Sequence, residues 1–104
     1  PIGNVAGISS GSLNKNDITS SKVIAEFRDF PYDLKVRVTG FVVNISGKAP
    51  VTVTGQYLSP EAKAAVNSSR KGSMITITDI KTRLEGLTSV SLKEPTPISV
   101  KLKN

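Results

Sequence analysis

"DFPYDLKVRVTGFVV", residues 29–43, decides how this chain folds. Leu34, Val36 and Val38 alternate with Lys35, Arg37 and Thr39, the period-two pattern of a strand with one buried face. Past Thr39 the apolar set continues at Phe41, Val43 and Ile45, so the phase slips by one residue. A β-bulge at Gly40 accounts for the slip, because glycine tolerates the backbone that a bulge requires. The alternative is a fully apolar, buried strand end, since Val42 is also hydrophobic. The bulge is the preferred reading, and it would bend the strand so that it serves both sheets of a sandwich.

The neighbouring stretches read in the same way. "SKVIAEFRDF" places Val23, Ala25 and Phe27 on one face and Glu26 and Arg28 on the other. "SGKAP" is a turn, and "VTVTGQYL" is a strand weakened at Gly55. "SMITITDIKTRL" changes phase as well: Ile75 and Ile77 are odd, Ile80 and Leu84 even, which predicts a second bulge or bend near Thr78–Asp79. "EGLTSV" makes a turn and a short strand. "TPISVKLKN" closes the chain with Ile98, Val100 and Leu102 inward and Lys101 and Lys103 outward.

"SPEAKAAVNSSRKG" is the one convincing helix. Ser59 suits the N-cap, Pro60 the first helical position and Glu61 the first turn. Ala62 and Val66 lie one turn apart with Ala65 beside them, Arg70 and Lys71 stand at the C-terminal end, and Gly72 suits the C′ position. "PIGNVAGISSGSLNKNDITS" is rich in Gly, Ser and Asn and reads over 1–21 as an irregular, linker-like segment or as an ordered loop that Ile2, Val5 and Ile8 pin to a core, followed by the folded domain over 22–104. The expected class is all-β: an Ig-like β-sandwich with one short α-helix inserted between strands.

Composition sets the limits on chemistry. With 104 residues, 38% of them hydrophobic, the chain can bury one modest core. It has no cysteine and no histidine. Thiol catalysis, zinc knuckles, disulfide frameworks and His-based nucleophile systems are therefore excluded, and no cofactor or metal site is expected. Fourteen Lys and Arg stand against eight Asp and Glu, a net charge of +6, which favours acidic partners. No apolar run is long enough to span a membrane, and the start at Pro1 reads as that of a mature fragment or an excised domain.

Asp29 and Asp33 are spaced as a pair that could in principle serve a glycosidase-like reaction. The structural reading is stronger: Pro31 fixes a turn, Phe30 and Tyr32 plug one end of the fold, and the carboxylates satisfy loose amides. An aromatic residue before Pro31 also favours a cis bond. No catalytic residue is expected. Lys35 with Arg37, Lys81 with Arg83, and Lys101 with Lys103 would form a basic wall if their strands adjoin. Nucleic acid is disfavoured as the partner of such a wall, because stacking aromatics are few. Asn44 and Asn67 fit the glycosylation sequon, but both sit in expected regular structure.

The order of "VIAEFRDFPYDLKVRVTGFVV", "LSPEAKAAVNSSRKGSMITITDIKTR" and "PISVKLK" resembles the C-terminal domain of the GldM/PorM family, from about Lys22 to Lys103. The specific parts are the "DFPYDLK" that opens a strand, "RKGS" after the helix, the following "DIK", and the terminal "PISVKLK". The stretch "EGLTSVSLKEPT" departs from the family's usual turn, and "PIGNVAG" is similar to the end of the linker before this domain.

The resemblance implies a part of the gliding-motility and type IX secretion machinery of Bacteroidota. It implies a periplasmic docking domain of an inner-membrane-anchored protein, homodimeric at full length. Its partners would be periplasmic and outer-membrane-associated ring proteins, with an inner-membrane motor partner met through the rest of the chain. It implies no enzyme. The expected contact residues are Arg70, Lys71, Lys81 and Arg83. The competing reading is a carbohydrate- or peptidoglycan-binding β-sandwich of the cell envelope, for which Tyr32 and Tyr57 are the candidate stacking residues.

Overall fold

The computed structural model describes residues 2–5, 10–26, 36–84 and 96–104. The "DFPYD" turn, its X-Pro bond, Lys35 and the "EGLTSV" segment lie outside these residues. In chain order the elements are β1 (Ile2–Val5), β2 (Ser10–Leu13), α1 (Lys15–Ser20), β3 (Val23–Glu26), β4 (Val36–Ile45), β5 (Val51–Thr54), α2 (Pro60–Asn67), β6 (Met74–Leu84) and β7 (Ile98–Leu102). The described residues form a five-stranded sheet in the order β2-β7-β6-β4-β5 and a two-stranded sheet of β1 with β3. All pairings are antiparallel except β2 with β7, which is parallel. The fold is mostly β with small helices.

Alternation fixes which face of the large sheet is buried. Val38, Phe41, Val43, Val53, Ile75, Ile77, Ile80, Ile98, Val100 and Leu102 form one core with Ile18 of α1, Val23 of β3, and Leu58, Ala62 and Val66 at and within α2. The helices and Val23 thus cover a single face of the sheet. The opposite face carries Thr52, Thr54, Asn44, Thr76, Thr78, Ser99 and Lys101, each half-buried or exposed.

Both phase slips are bulges, and they compensate each other. On β4, Thr39 is an extra residue between Val38 and Gly40, whose partners Thr82 and Lys81 are consecutive on β6. One step on, Asp79 and Ile80 stand between Lys81 and Thr78, opposite the single residue Phe41. Each strand gains one residue, so the register is restored and apolar side chains on both sides of the irregularity reach the same core. Asp79 takes the strain of its bulge with φ 50°, a left-handed conformation that Asp adopts more readily than most residues.

Gly40 is needed for a reason other than backbone freedom. A Cβ at this position would stand 3.0 Å from the Val53 carbonyl oxygen, a tight contact that β5 would have to give way to accommodate. The bulge residue Thr39 keeps its carbonyl satisfied by the Gly55 N–H at 2.8 Å.

α2 starts as its sequence predicts. The Ser59 hydroxyl accepts the Ala62 N–H at 3.2 Å, Pro60 opens the first turn, and Ala62 and Val66 are fully buried. Its end differs from the prediction. The helix stops at Asn67 with Ser68 as C-cap, and neither Arg70 nor Lys71 lies in it. Gly72 has φ 89° and sits at the corner of a turn in which Arg70 C=O accepts Ser73 N–H at 3.0 Å. That is the third position of a type II turn, where glycine is favoured. The cation at the helix C-terminus comes instead from Lys48 in the β4–β5 turn. Its Nζ donates to Ala65 C=O at 3.1 Å and to the Ser68 hydroxyl.

The linker-like reading of residues 1–21 does not describe residues 10–21, and there are two helices where one was expected. β2 adds to the sheet beside β7, Leu13 is 5% exposed, and Ile18 on α1 is fully buried. The Asp17 carboxylate accepts the Asn14 N–H at 3.3 Å, which steadies the start of α1.

Candidate docking surface

The four cations singled out from sequence are all exposed, but they do not form one patch. Arg70 and Lys71 occupy the turn that leads into β6, while Lys81 and Arg83 sit near the far end of that strand. Lys81 lies seven positions beyond Met74 along β6, roughly 20 Å at the rise of a strand. The basic wall is therefore interrupted. β7, β6 and β4 do adjoin, but β7 pairs with β6 only from Met74 to Ile77, short of Lys81 and Arg83. A neutral belt of Ser99, Thr76, Asn44 and Thr78 crosses the face between the two clusters. Within it Asn44 Nδ2 donates to Thr76 C=O at 3.2 Å and to the Thr78 hydroxyl at 2.9 Å.

The far cluster lies past the bulges. Arg37 and Arg83 are direct cross-strand partners, both exposed, a like-charged pairing that disfavours the sheet slightly. Beside them an open depression of about 510 Å³ is lined by Gly40, Val42, Thr52, Thr54, Asp79 and Lys81 among others. It holds one carboxylate, Asp79, whereas acid/base hydrolysis of the glycosidase kind uses two. Among the described residues no group of three or more His, Cys, Asp or Glu could hold a metal ion.

The near cluster is larger than its sequence neighbours suggest. Four segments meet at this end of the sheet and are stitched by backbone hydrogen bonds. Ser46 N–H donates to Met74 C=O at 3.1 Å, Gly72 N–H to Leu102 C=O at 2.9 Å, and Lys103 N–H to Leu13 C=O at 2.9 Å. Lys101 is the β7 partner of Met74, and its Cε lies 3.7 Å from where a Cβ would stand on Gly72. Arg70, Lys71, Lys101 and Lys103 are thus brought to one end of the molecule. Lys101 and Lys103 were legible as outward-facing from alternation; their place beside Lys71 follows only from the path of β6 and β7.

Exposed large apolar side chains are scarce. Among the described residues these are Tyr57, 53% exposed, and Met74, 40% exposed. Among the described residues, a sheet with one buried face and a hydrophilic face that bears cations at both ends defines a small β module that presents open surface.

The family model for the GldM C-terminal domain matches residues 1–103, and the chain belongs to that family. It is therefore a component domain of the gliding-motility and type IX secretion machinery, associated with the cell envelope. The family's domain is a structural part of a motor. A comparison with curated proteins finds no match. Among the described residues no helix is long and apolar enough to cross a membrane.

Proposed function

We propose that this chain is a non-enzymatic docking domain in the periplasm, which links an inner-membrane motor to ring proteins associated with the outer membrane. The observation that carries this reading is the family match across residues 1–103. The surface supports it. Exposed cations stand at both ends of one sheet face, and a net charge of +6 favours acidic protein surfaces through steering and register. On this reading Arg70 and Lys71 at one end, and Lys81 and Arg83 at the other, are the candidate contacts. The full-length protein carries the domain as a homodimer and meets its motor partner through other segments.

The test is affinity capture from the envelope of a cell that carries the machinery, with this chain as bait at low and at high salt. Capture of ring proteins that weakens as salt rises supports the reading, because exposed charge contacts are screened. Capture of peptidoglycan fragments in place of ring proteins would transfer the function to the carbohydrate-binding class.

A further inference from the structure

Arg70, Lys71, Lys101 and Lys103 stand at the same end of the sheet as one exposed apolar side chain, Met74. Met74 and Lys101 are direct cross-strand partners, so their side chains leave the same face of the sheet. Lys71 and Gly72 form the corner of the turn immediately before β6, and the stem of Lys101 runs beside Gly72. Lys103 lies one alternation beyond Lys101, its backbone tied to Leu13.

None of these four cationic side chains makes an ion pair or a hydrogen bond among the described residues. Two further cations stand at this end: Lys48 is committed to the α2 C-terminus, and Lys15 opens α1, its backbone N–H donating to the Asn104 side chain at 2.9 Å. The described acids stand elsewhere or are engaged. Asp17 accepts the Asn14 N–H, Glu61 is in the first turn of α2 at the far end of that helix from Lys48, and Asp79 is at the bulge. Among the described residues these four like charges are paired with no counter-charge, so no described contact gives them a part in folding. An unpaired methionine at 40% exposure among them does nothing for solubility.

That arrangement matches the anatomy of a protein contact: a small apolar centre with a charged rim. The thioether is polarizable and unbranched, so it adapts to an apolar partner side chain. Three of the four cations are lysines, which act as mobile point charges rather than as rigid forks for phosphate. No aromatic residue stands at this end among the described residues, so neither sugar rings nor nucleobases have a stacking platform there.

We propose that this end of the sheet docks an acidic protein segment with an apolar residue at its centre. The apolar residue packs on Met74, and flanking carboxylates pair with Lys71, Lys101, Lys103 and Arg70. The inference rests on the docking reading above and assigns it to one of the two basic clusters.

The direct test titrates the isotope-labelled chain with a synthetic peptide of alternating Asp and Glu around a central Leu, followed by amide and Met methyl resonances. Shifts should concentrate at 70–74 and 101–103 and at the Met74 methyl. Lys71→Glu/Lys101→Glu/Lys103→Glu should weaken the peptide at least about tenfold, with the dispersed Ile and Val methyl signals of the core retained. Arg37→Glu/Arg83→Glu should bind like the unaltered chain. Equal weakening by both variants, or shifts centred on 37 and 83, overturns the proposal. So does tighter binding to phosphatidylglycerol vesicles than to the peptide, which would make the surface a lipid contact.

The same variants separate this inference from the broader one. Ring-protein capture that survives reversal at 71, 101 and 103 sinks the assignment and leaves the docking domain standing. If the unaltered chain captures no ring protein at either salt, the docking reading fails, and the peptide titration alone decides whether this end recognises acidic segments.

Discussion

The two ends of the sheet's outer face both carry cations, yet they are built on different principles. At the far end β4 and β6 hold Arg37, Lys81 and Arg83 on strands that have each absorbed an extra residue, at Thr39 and at Asp79. That geometry depends on the core beneath it and on the absence of a side chain at Gly40. At the near end Arg70 and Lys71 are placed by a turn and Lys101 and Lys103 by the end of β7, with hydrogen bonds between chain segments and with Leu13, Ile75, Val100 and Leu102 buried on the other face. A surface that hangs on packing is lost together with the fold. A surface that hangs on turns can be rewritten residue by residue.

The sharpest break in this contrast is Phe41→Ala. Phe41 is 2% exposed and is the side chain that faces the bulged pair Asp79–Ile80. Its loss should cost about 3–5 kcal/mol, read as a lower urea midpoint at unchanged slope. Next is Gly40→Val, which drives a side chain at the Val53 carbonyl, only 3.0 Å from the position of a Cβ. A cost of about 1–3 kcal/mol is expected, and selective loss of amide protection at Thr39 and Val53 would show that the damage is local.

Ser59→Ala removes the hydroxyl that accepts the Ala62 N–H and should cost about 1 kcal/mol in the same unfolding measurement. The smallest effect is expected at the near end. Lys48→Met, which takes the cation from the α2 C-terminus, should cost about 0.5 kcal/mol or less, and added salt should shrink that difference further. If Lys48→Met proved as damaging as Phe41→Ala, the two ends would not differ in kind.

Much of this was legible in the chain because alternation is a local signal. The slip at Thr39–Gly40 and the one at Thr78–Asp79 both appear as changes of parity, and both are bulges. What parity could not show is that they face each other in one sheet and cancel. A phase change on a single strand looks the same whether the strand crosses between sheets or meets a matching bulge. The reason for Gly40 was equally hidden, since the close neighbour is Val53 of another strand.

α2 announced itself through Ser59, Pro60 and Glu61, but its end did not. Arg70 and Lys71 look like C-terminal helix cations, and Gly72 like a cap, yet the cation used is Lys48, distant in sequence. α1 was missed because one buried side chain, Ile18, gives no periodicity; Asn14 followed by Asp17 was the only local signal. The parallel pairing of β2 with β7 joins Leu13 to Leu102 across nearly the whole chain, and no neighbouring residue reports it. The same holds for the candidate contacts. Arg70 with Lys71 could be read together. That Lys101 and Lys103 join them, and that Lys81 and Arg83 do not, depends on the direction and length of β6.

The most direct test of the central claim places a photo-crosslinking amino acid at position 103 or at position 83 of the full protein in living cells. Docking through the near end predicts adducts with an acidic envelope protein from position 103 and few or none from position 83. Adducts from position 83 alone would contradict the account and move the contact to the bulged end of the sheet.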